Sequence, residues 1–226
     1  MGRYIAPVLI GVVGVAILVA LGIWQVQRLA WKEGVLADMD ARMTGDPVAL
    51  PDVVDREEHS LLSVKVAGRI TDEELHVLTT ANGGPAFRVI TAFETEDGRR
   101  LLLDRGLVDD SAKEAPRAPV EATVVGNIHW PDEKDSWTPD PDLGKNIWYV
   151  RDVDMMSAEL ATEEFMLITR RTTEAEPPVT PAPVNTAGVP NDHLQYAITW
   201  FSLALVWIGM TLYWILRIRR GPEGTA

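Results

Sequence analysis

Two long apolar runs, one near each end of the chain, restrict the possible fold more than any other sequence feature. Each run has about 21 residues without a single Asp, Glu, Lys or Arg. About 20 such residues in a helix cross the hydrocarbon core of a bilayer. The sequence therefore predicts transmembrane helices at residues 4–26 and 194–216. Residues 27–190 then form a domain between them, and residues 217–226 form a tail.

The first run has a second interpretation, a cleaved signal peptide. Its length, and the lack of a clear Ala-Xaa-Ala site before the first polar residues, favour an uncleaved anchor. Small residues recur along this run at Gly11, Gly14, Ala16 and Ala20. Such residues allow two helix backbones to approach closely in a membrane. We therefore expect the two predicted helices to pack along their length.

The distribution of basic residues predicts the orientation of the two helices. Arg217, Arg219 and Arg220 follow the second run directly, and no Lys or Arg lies between Arg171 and that run. Cytoplasmic flanks of membrane helices carry the excess of Lys and Arg. Both termini are therefore expected in the cytoplasm and the middle domain on the outer side of a membrane. This orientation leaves Arg28 and other nearby cations on the outer side, where they need an explanation.

The charge and the cysteine content exclude several classes of function. All but one of the 33 acidic residues lie between Glu33 and Asp192, and the formal net charge of the chain is −12. Such a domain repels phosphate backbones, so no nucleic-acid partner is expected. The chain has no cysteine. This excludes disulfides, thiolate zinc sites, a Cys nucleophile and a CxxC copper chaperone.

The middle domain is predicted to be rich in strands. Helical sequence continues to Arg42 and stops at Gly45-Asp46-Pro47. Alternating or apolar runs at 61–70, 74–80, 86–95, 99–108, 121–130 and 165–171 are typical of strands. Asp97-Gly98 between two such runs indicates a hairpin. We predict an antiparallel sheet or small barrel of the α+β class.

Two further segments of the domain carry their own predictions. Residues 152–161 have the composition of a single helix, with Asp152 as its N-cap. Residues 177–190 are rich in proline, and we expect them to run extended and to link the domain to the second membrane helix. The domain is thus expected to contain few helices.

Motifs of known enzymes are lacking. The chain has no GxSxG, HExxH, Walker A or GxGxxG sequence. His59, His76 and His129 have no metal-ligand spacing, so we interpret them as solvated or structurally bonded side chains. The prediction is a protein that is not an enzyme. A membrane-anchored hydrolase stays as an alternative, and it would need a nucleophile and a base within hydrogen-bond reach.

Two polar and aromatic clusters flank the inner ends of the apolar runs. The first is LGIWQVQRLAWK at 21–32, and the second is NDHLQYAITWFSLA at 191–204. One interpretation is an aromatic belt with snorkelling cations at the membrane surface. The other is a haem site, because imidazole is a common haem-iron ligand and Arg or Lys suits the propionates. The residues concerned are Trp24, Arg28, Trp31, Lys32, His193, Tyr196 and Trp200.

The two clusters resemble the end signatures of the surfeit-locus protein one family, the cytochrome c oxidase assembly factors. The middle of the chain agrees in order: LLLDRGLV, VVGNIHW and IWYVRDVDMMS resemble successive segments of that family. Asp104 and Leu107 depart from its pattern, since Asn and Trp are usual at these positions. The resemblance thus extends over nearly the whole chain.

The resemblance implies an assembly factor that binds haem a and helps its insertion into cytochrome c oxidase subunit I. His193 stands at the family's candidate iron ligand. Subunit I is then the main partner, with the haem a synthase as a second and the lipid bilayer around both helices. The short N-terminus favours a bacterial inner-membrane protein with a periplasmic domain. The alternative is a haem-free, membrane-anchored scaffold that stabilises nascent subunit I.

Overall fold

The computed structural model describes residues 4–81 and 83–220. The chain divides into two compact units. One unit contains the chain up to Asp38 and from Ala187 onward, and the other is Met39–Thr186. We refer to them as the helical unit and the barrel unit.

Two long helices form the helical unit. They are α1, Ile5–Thr44, whose last turn belongs to the barrel unit, and α4, His193–Arg220. Both are long and apolar enough to cross a membrane, and only 17% and 6% of their most apolar windows are buried within the protein. The helix predicted to continue to Arg42 is confirmed, and it ends directly before Gly45. The exact membrane limits at 4–26 and 194–216 stay a prediction.

The two long helices pack against each other through glycines, as expected. A Cβ atom added to Gly11 would lie 2.3 Å from the Thr211 side chain, and one added to Gly22 would lie 2.7 Å from the Phe201 ring. Both separations are too short for a real side chain, so the glycines provide space for residues of α4. Close approach through small residues needs no polar contact.

Six strands and two short helices make up most of the barrel unit. The short helices are α2, Arg56–His59, and α3, Val153–Leu160. The strands are β1 Val48–Ala49, β2 Ser63–Ala81, β3 Gly84–Thr95, β4 Arg100–Asp109, β5 Val120–His129 and β6 Met166–Thr172. The hairpin at Asp97-Gly98 is confirmed: β3 and β4 pair antiparallel on either side of it, and Gly98 has a φ of +85°.

The strands close into a small barrel. The order is β2, β3, β4, β6 and β5, and the first half of β2 then pairs with β5. The predicted antiparallel pairing is confirmed for most neighbours. The sheet is nevertheless mixed, because β4 and β6 run parallel and so do β1 and β2. Parallel neighbours need a long connection. The chain between β4 and β6 provides it, since it contains β5 and α3.

The strands predicted at 61–70 and 74–80 are one continuous strand. The pairing of β2 with β3 shifts in register between Ile70 and Glu74. A bulge of this kind bends a strand and increases its twist. The bend lets β2 pair with β5 through Ser63–Ile70 and with β3 through Gly68–Ala81. The bulge between Ile70 and Glu74 therefore lets β2 contribute to both sides of the closed barrel.

Strand β4 is buried on both faces. Leu101 and Leu103 pack in a cluster with Phe93, whereas Leu102 packs in a second cluster beneath α3. All three leucines are fully buried. Strands that are covered on both sides have continuous apolar runs rather than alternating ones. This is why the sequence LLL occurs in the middle of an otherwise alternating domain.

Helix α3 confirms the prediction at 152–161. The Asp152 side chain accepts a hydrogen bond from the Met155 backbone N–H at 3.1 Å, which is the expected N-cap. The helix ends at Ala161 in the left-handed region, with a φ of +51°. Met156 is fully buried on the side that faces the barrel.

The proline-rich segment differs from the predicted linker in its first half. Val179 is only 2% exposed and packs with Phe87 and Val108. Thr180 exchanges backbone hydrogen bonds of 2.8 and 2.9 Å with Leu107. The chain up to Thr186 belongs to the barrel unit. An apolar side chain among the prolines thus anchors the segment where composition alone indicates a free tether.

Candidate functional site

The residues of the predicted site all lie in the helical unit, in the middle of α1 and in the first turns of α4. Trp24, Arg28, Trp31 and Lys32 belong to α1. His193, Tyr196 and Trp200 belong to the first turns of α4. His193 is the first residue of its helix, and the Asp192 carbonyl accepts a hydrogen bond from the Tyr196 backbone N–H at 3.1 Å.

A hydrogen bond joins the two helices at His193. Its Nδ1 atom lies 2.8 Å from the Oε1 atom of Gln25. Gln25 is buried and His193 is half-buried. Four residues further along α4, Ala197 is buried, so this side of α4 faces α1. The expected proximity of the two clusters is confirmed at this contact.

Arg28 lies between two tryptophans on an exposed side of α1. Its guanidinium carbon is 5.9 Å from the centre of the Trp24 ring and 5.1 Å from that of Trp31. The two rings are 48% and 59% exposed. Cations over an indole face are attracted by its quadrupole. The three side chains form one ladder along this side of α1.

The ladder and the histidine contact lie on neighbouring sides of α1. Arg28 follows Gln25 by three residues, which is about 60° around an α-helix. No carboxylate among residues 4–81 and 83–220 forms an ion pair with Arg28. The predicted site is thus divided into a buried polar contact and an exposed cationic edge.

The remaining predicted residues have different surroundings. The Lys32 ammonium donates a hydrogen bond to the Pro190 carbonyl, in the segment that leads into α4. Tyr196 is 55% exposed, directly beside the buried Ala197. Trp200 is half-buried, and its Nε1 atom is enclosed without a partner among the described residues. Arg28 therefore contacts the two α1 tryptophans, and His193 contacts Gln25. Lys32 takes part in neither group, because it binds the Pro190 carbonyl.

Comparison with known proteins identifies the family. A sequence model of the SURF1 family matches residues 12–205, which include both clusters. This chain belongs to the SURF1 family. The resemblance inferred from the clusters is therefore confirmed.

Members of the SURF1 family from distant organisms match most of the chain. Surfeit locus protein 1 of Xenopus tropicalis is 28% identical over 209 residues, which cover 81% of this chain and 67% of that protein. A SURF1-like protein of Rickettsia felis is 28% identical over 201 residues, which cover 84% and 88%. Human Surfeit locus protein 1 is 25% identical over 208 residues, which cover 81% and 69%. The similarity thus includes a bacterial relative.

Gln25 is the site residue that sequence reasoning missed. It stands within the cluster at 21–32, directly after Trp24. A glutamine between an apolar run and a charged segment resembles an ordinary surface residue. The sequence carries no signal that distinguishes it, because its burial depends on the packing of α1 against α4.

A buried ion network lies in the barrel unit. Asp104 is fully buried and accepts hydrogen bonds from Arg88 at 2.5 Å, from Arg151 at 3.3 Å and from the Gly106 backbone N–H at 3.0 Å. Burial raises the pKa of the Asp104 carboxyl, and the two guanidinium groups oppose that shift. Arg151 also binds Glu133. The charge of Asp104, which stands where the family usually has Asn, is thus balanced by two arginines.

The histidines of the barrel unit mostly have structural roles. His76 is buried and bonds Glu74 at 2.9 Å, and His59 Nδ1 accepts a hydrogen bond from the Asp55 backbone N–H at 2.9 Å. Within the described residues, no three His, Asp or Glu side chains are arranged to hold a metal ion. The interpretation of His59 and His76 as structurally bonded residues is confirmed.

Proposed function

We propose that this protein is a non-enzymatic assembly factor for haem a-containing cytochrome c oxidase. It would bind haem a as cargo at the end of the helix pair and help its insertion into subunit I. The observation that carries the proposal is the His193–Gln25 contact, which lies inside the match to the SURF1 family. An imidazole positioned at the junction of two apolar helices suits a large apolar ring with a metal centre.

The donor set of the helical unit fits haem. His193 supplies a half-buried imidazole, and the described residues offer no cysteine as a competing ligand. Arg28 supplies a cation without an ion-pair partner among those residues, which suits a propionate. Trp24 and Trp31 offer exposed aromatic faces. Lys32 is bonded to the Pro190 carbonyl, so its contribution is secondary to that of Arg28.

The same helices support a proposal for the location. We propose a bacterial inner-membrane protein that crosses the membrane twice, with both termini cytoplasmic and the barrel unit periplasmic. The length and apolarity of α1 and α4 support two spans, and the arginines at 217, 219 and 220 support the orientation. The bacterial relative supports the compartment.

A haem-free scaffold for subunit I is the second candidate. Trp137 in the barrel unit is 90% exposed. Its turn is held by hydrogen bonds from the Trp137 backbone N–H and the Thr138 hydroxyl to Asp135, both 2.9 Å. An exposed tryptophan on a preformed turn is a common anchor of protein interfaces. This surface favours a role in holding a partner protein.

An absorption spectrum separates the two candidates. The full chain, purified from cells that make haem a, should carry the haem a spectrum, and His193→Ala should abolish or strongly shift it. Arg28→Glu should weaken binding less, because solvent screens a single exposed charge contact. His59→Ala, which removes a histidine of the barrel unit, serves as the control and should keep the spectrum. Wild-type protein without any haem would favour the scaffold, and an unchanged His193→Ala spectrum would refute the ligand.

A further inference from the structure

The side chain of Gln25 is held where it contacts one ring nitrogen of His193. The amide oxygen lies 2.8 Å from Nδ1, a normal hydrogen-bond distance. Gln25 is only 8% exposed although it lies on an otherwise exposed stretch of α1. The two residues are 168 positions apart in the chain. The contact therefore depends on the packing of α1 against α4.

The chemistry of this contact determines which ring nitrogen carries the proton. An amide oxygen has lone pairs and no proton, so it can only accept. The neighbouring Nδ1 atom must then donate. A neutral imidazole has one N–H, and the remaining lone pair is on Nε2. We infer that Gln25 is a positioning residue, which holds His193 in the Nδ1–H tautomer and so presents Nε2 as the iron-binding atom.

The tautomer is inferred from the contact alone, and only the identity of the ligand that Nε2 binds rests on the proposed function. Metal-bound histidines commonly donate their other N–H to an oxygen, which fixes the ring and increases the basicity of the ligand. Here the acceptor is a neutral amide rather than a carboxylate, so it adds no charge next to an apolar helix pair. The ring is positioned before the cargo arrives. Binding then requires no change of tautomer.

The tautomer can be measured on the cargo-free full chain. Protein labelled with ¹⁵N-histidine has four histidines, and the His193 signals are those lost in His193→Ala. At pH 8, wild-type His193 should show a protonated Nδ1 and a bare Nε2. Gln25→Leu should give a mixture of both tautomers. A wild-type Nε2–H tautomer, or an unchanged Nδ1–H tautomer in Gln25→Leu, would overturn the inference.

Two further variants separate positioning from helix packing. Gln25→Glu keeps an oxygen acceptor and should keep the Nδ1–H tautomer, whereas Gln27→Leu changes an exposed glutamine of the same helix and should change nothing. Loss of the tautomer in Gln27→Leu would assign the effect to the helix pair in general and would contradict a specific role of Gln25.

Titration with ferric haem a then tests the consequence. Loss of the positioning residue should lower the affinity of Gln25→Leu by about 10–100-fold, with Gln25→Glu and Gln27→Leu close to wild type. Equal binding by Gln25→Leu and wild type would overturn the positioning role. Equal binding by His193→Ala and wild type would instead refute the proposed ligand, and the tautomer measured without haem still decides what Gln25 does.

Discussion

A Cβ atom on Gly14 would lie 2.2 Å from the indole nitrogen of Trp207. The same indole nitrogen is 3.4 Å from the backbone oxygen of Ile10, which lies one turn before Gly14 on α1. The indole thus occupies the space that a side chain at position 14 would need. This relationship explains how a tryptophan is accommodated between two helices whose other contacts also use glycines.

We expect Gly14→Leu to separate the helix pair. Overpacking costs about 1–3 kcal/mol, and 1.4 kcal/mol corresponds to about tenfold in the equilibrium constant between packed and separated helices. Trp207 lies in this contact, so tryptophan fluorescence during an SDS titration of the full chain in detergent micelles reports on the packing. The helices of Gly14→Leu should separate at a lower SDS fraction than those of the wild type.

Gly209→Leu is the matched control for the helix pair. A Cβ atom there has no neighbour within 4 Å, so the SDS fraction at which the helices separate should stay unchanged. Equal transitions in Gly14→Leu and Gly209→Leu would show that the Trp207 contact does not hold the helices together.

Gly106→Ala should destabilise the barrel unit. Gly106 has a φ of +123°, and its Cβ atom would lie 2.0 Å from the Thr180 carbonyl oxygen. The backbone conformation alone costs a residue with a side chain about 1–3 kcal/mol, and the clash would displace the segment that Val179 anchors. A urea unfolding curve of the full chain, followed by tryptophan fluorescence, should show a lower midpoint.

Gly84→Ala provides the comparison for that measurement. Position 84 has open space around its Cβ and no left-handed backbone. The free energy of unfolding of Gly84→Ala should therefore differ from that of the wild type by no more than an ordinary surface substitution causes, about 0.5 kcal/mol. If both variants unfold at the same urea concentration, the close approach of Gly106 to Thr180 contributes nothing to stability.

Acid should weaken the barrel unit through His129. Burial, with a further contribution from Arg151, lowers the pKa of this histidine from 6.5 to about 4. The unfolded chain therefore binds a proton in this range that the folded ring does not. Stability should fall as the pH falls from about 6.5 to 4.

The contribution of His129 is measured as a difference from His129→Gln. The slope of that difference is at most about 1.4 kcal/mol per pH unit, and it should be smaller because the half-buried ring is partly screened by solvent. The difference between the free energies of unfolding of the two proteins should change with pH below 6.5 and stay constant above it. A difference that is constant from pH 4 to 8 would contradict the lowered pKa.

Fusions to a reporter that is active only in the periplasm test the proposed orientation. A fusion after Arg220 should be silent, because the three arginines there favour the cytoplasm. The same reporter inserted at Gly188, which is exposed in the segment before α4, should be active. An active fusion after Arg220 would reverse the orientation.

Sequence alone was sufficient for the elements that depend on neighbours along the chain. The two apolar helices, the turn at Asp97-Gly98 and the Asp152 cap each follow from a local rule, such as span length, positive φ or side-chain capping. The family was also identified from sequence, because its two end signatures are contiguous segments. Local physics decides these features whatever the rest of the chain does.

Only the tertiary structure decided the features that join distant segments. The parallel pairing of β4 with β6 and the burial of Val179 depend on where a long connection returns, and no local pattern encodes that. The same holds for the site: the sequence indicates His193 and Arg28, but only helix packing places Gln25 against the imidazole and leaves Arg28 between two tryptophans on the neighbouring side. A one-residue step turns a side chain about 100° around a helix, so contacts of this kind are fixed by the docking of α1 with α4.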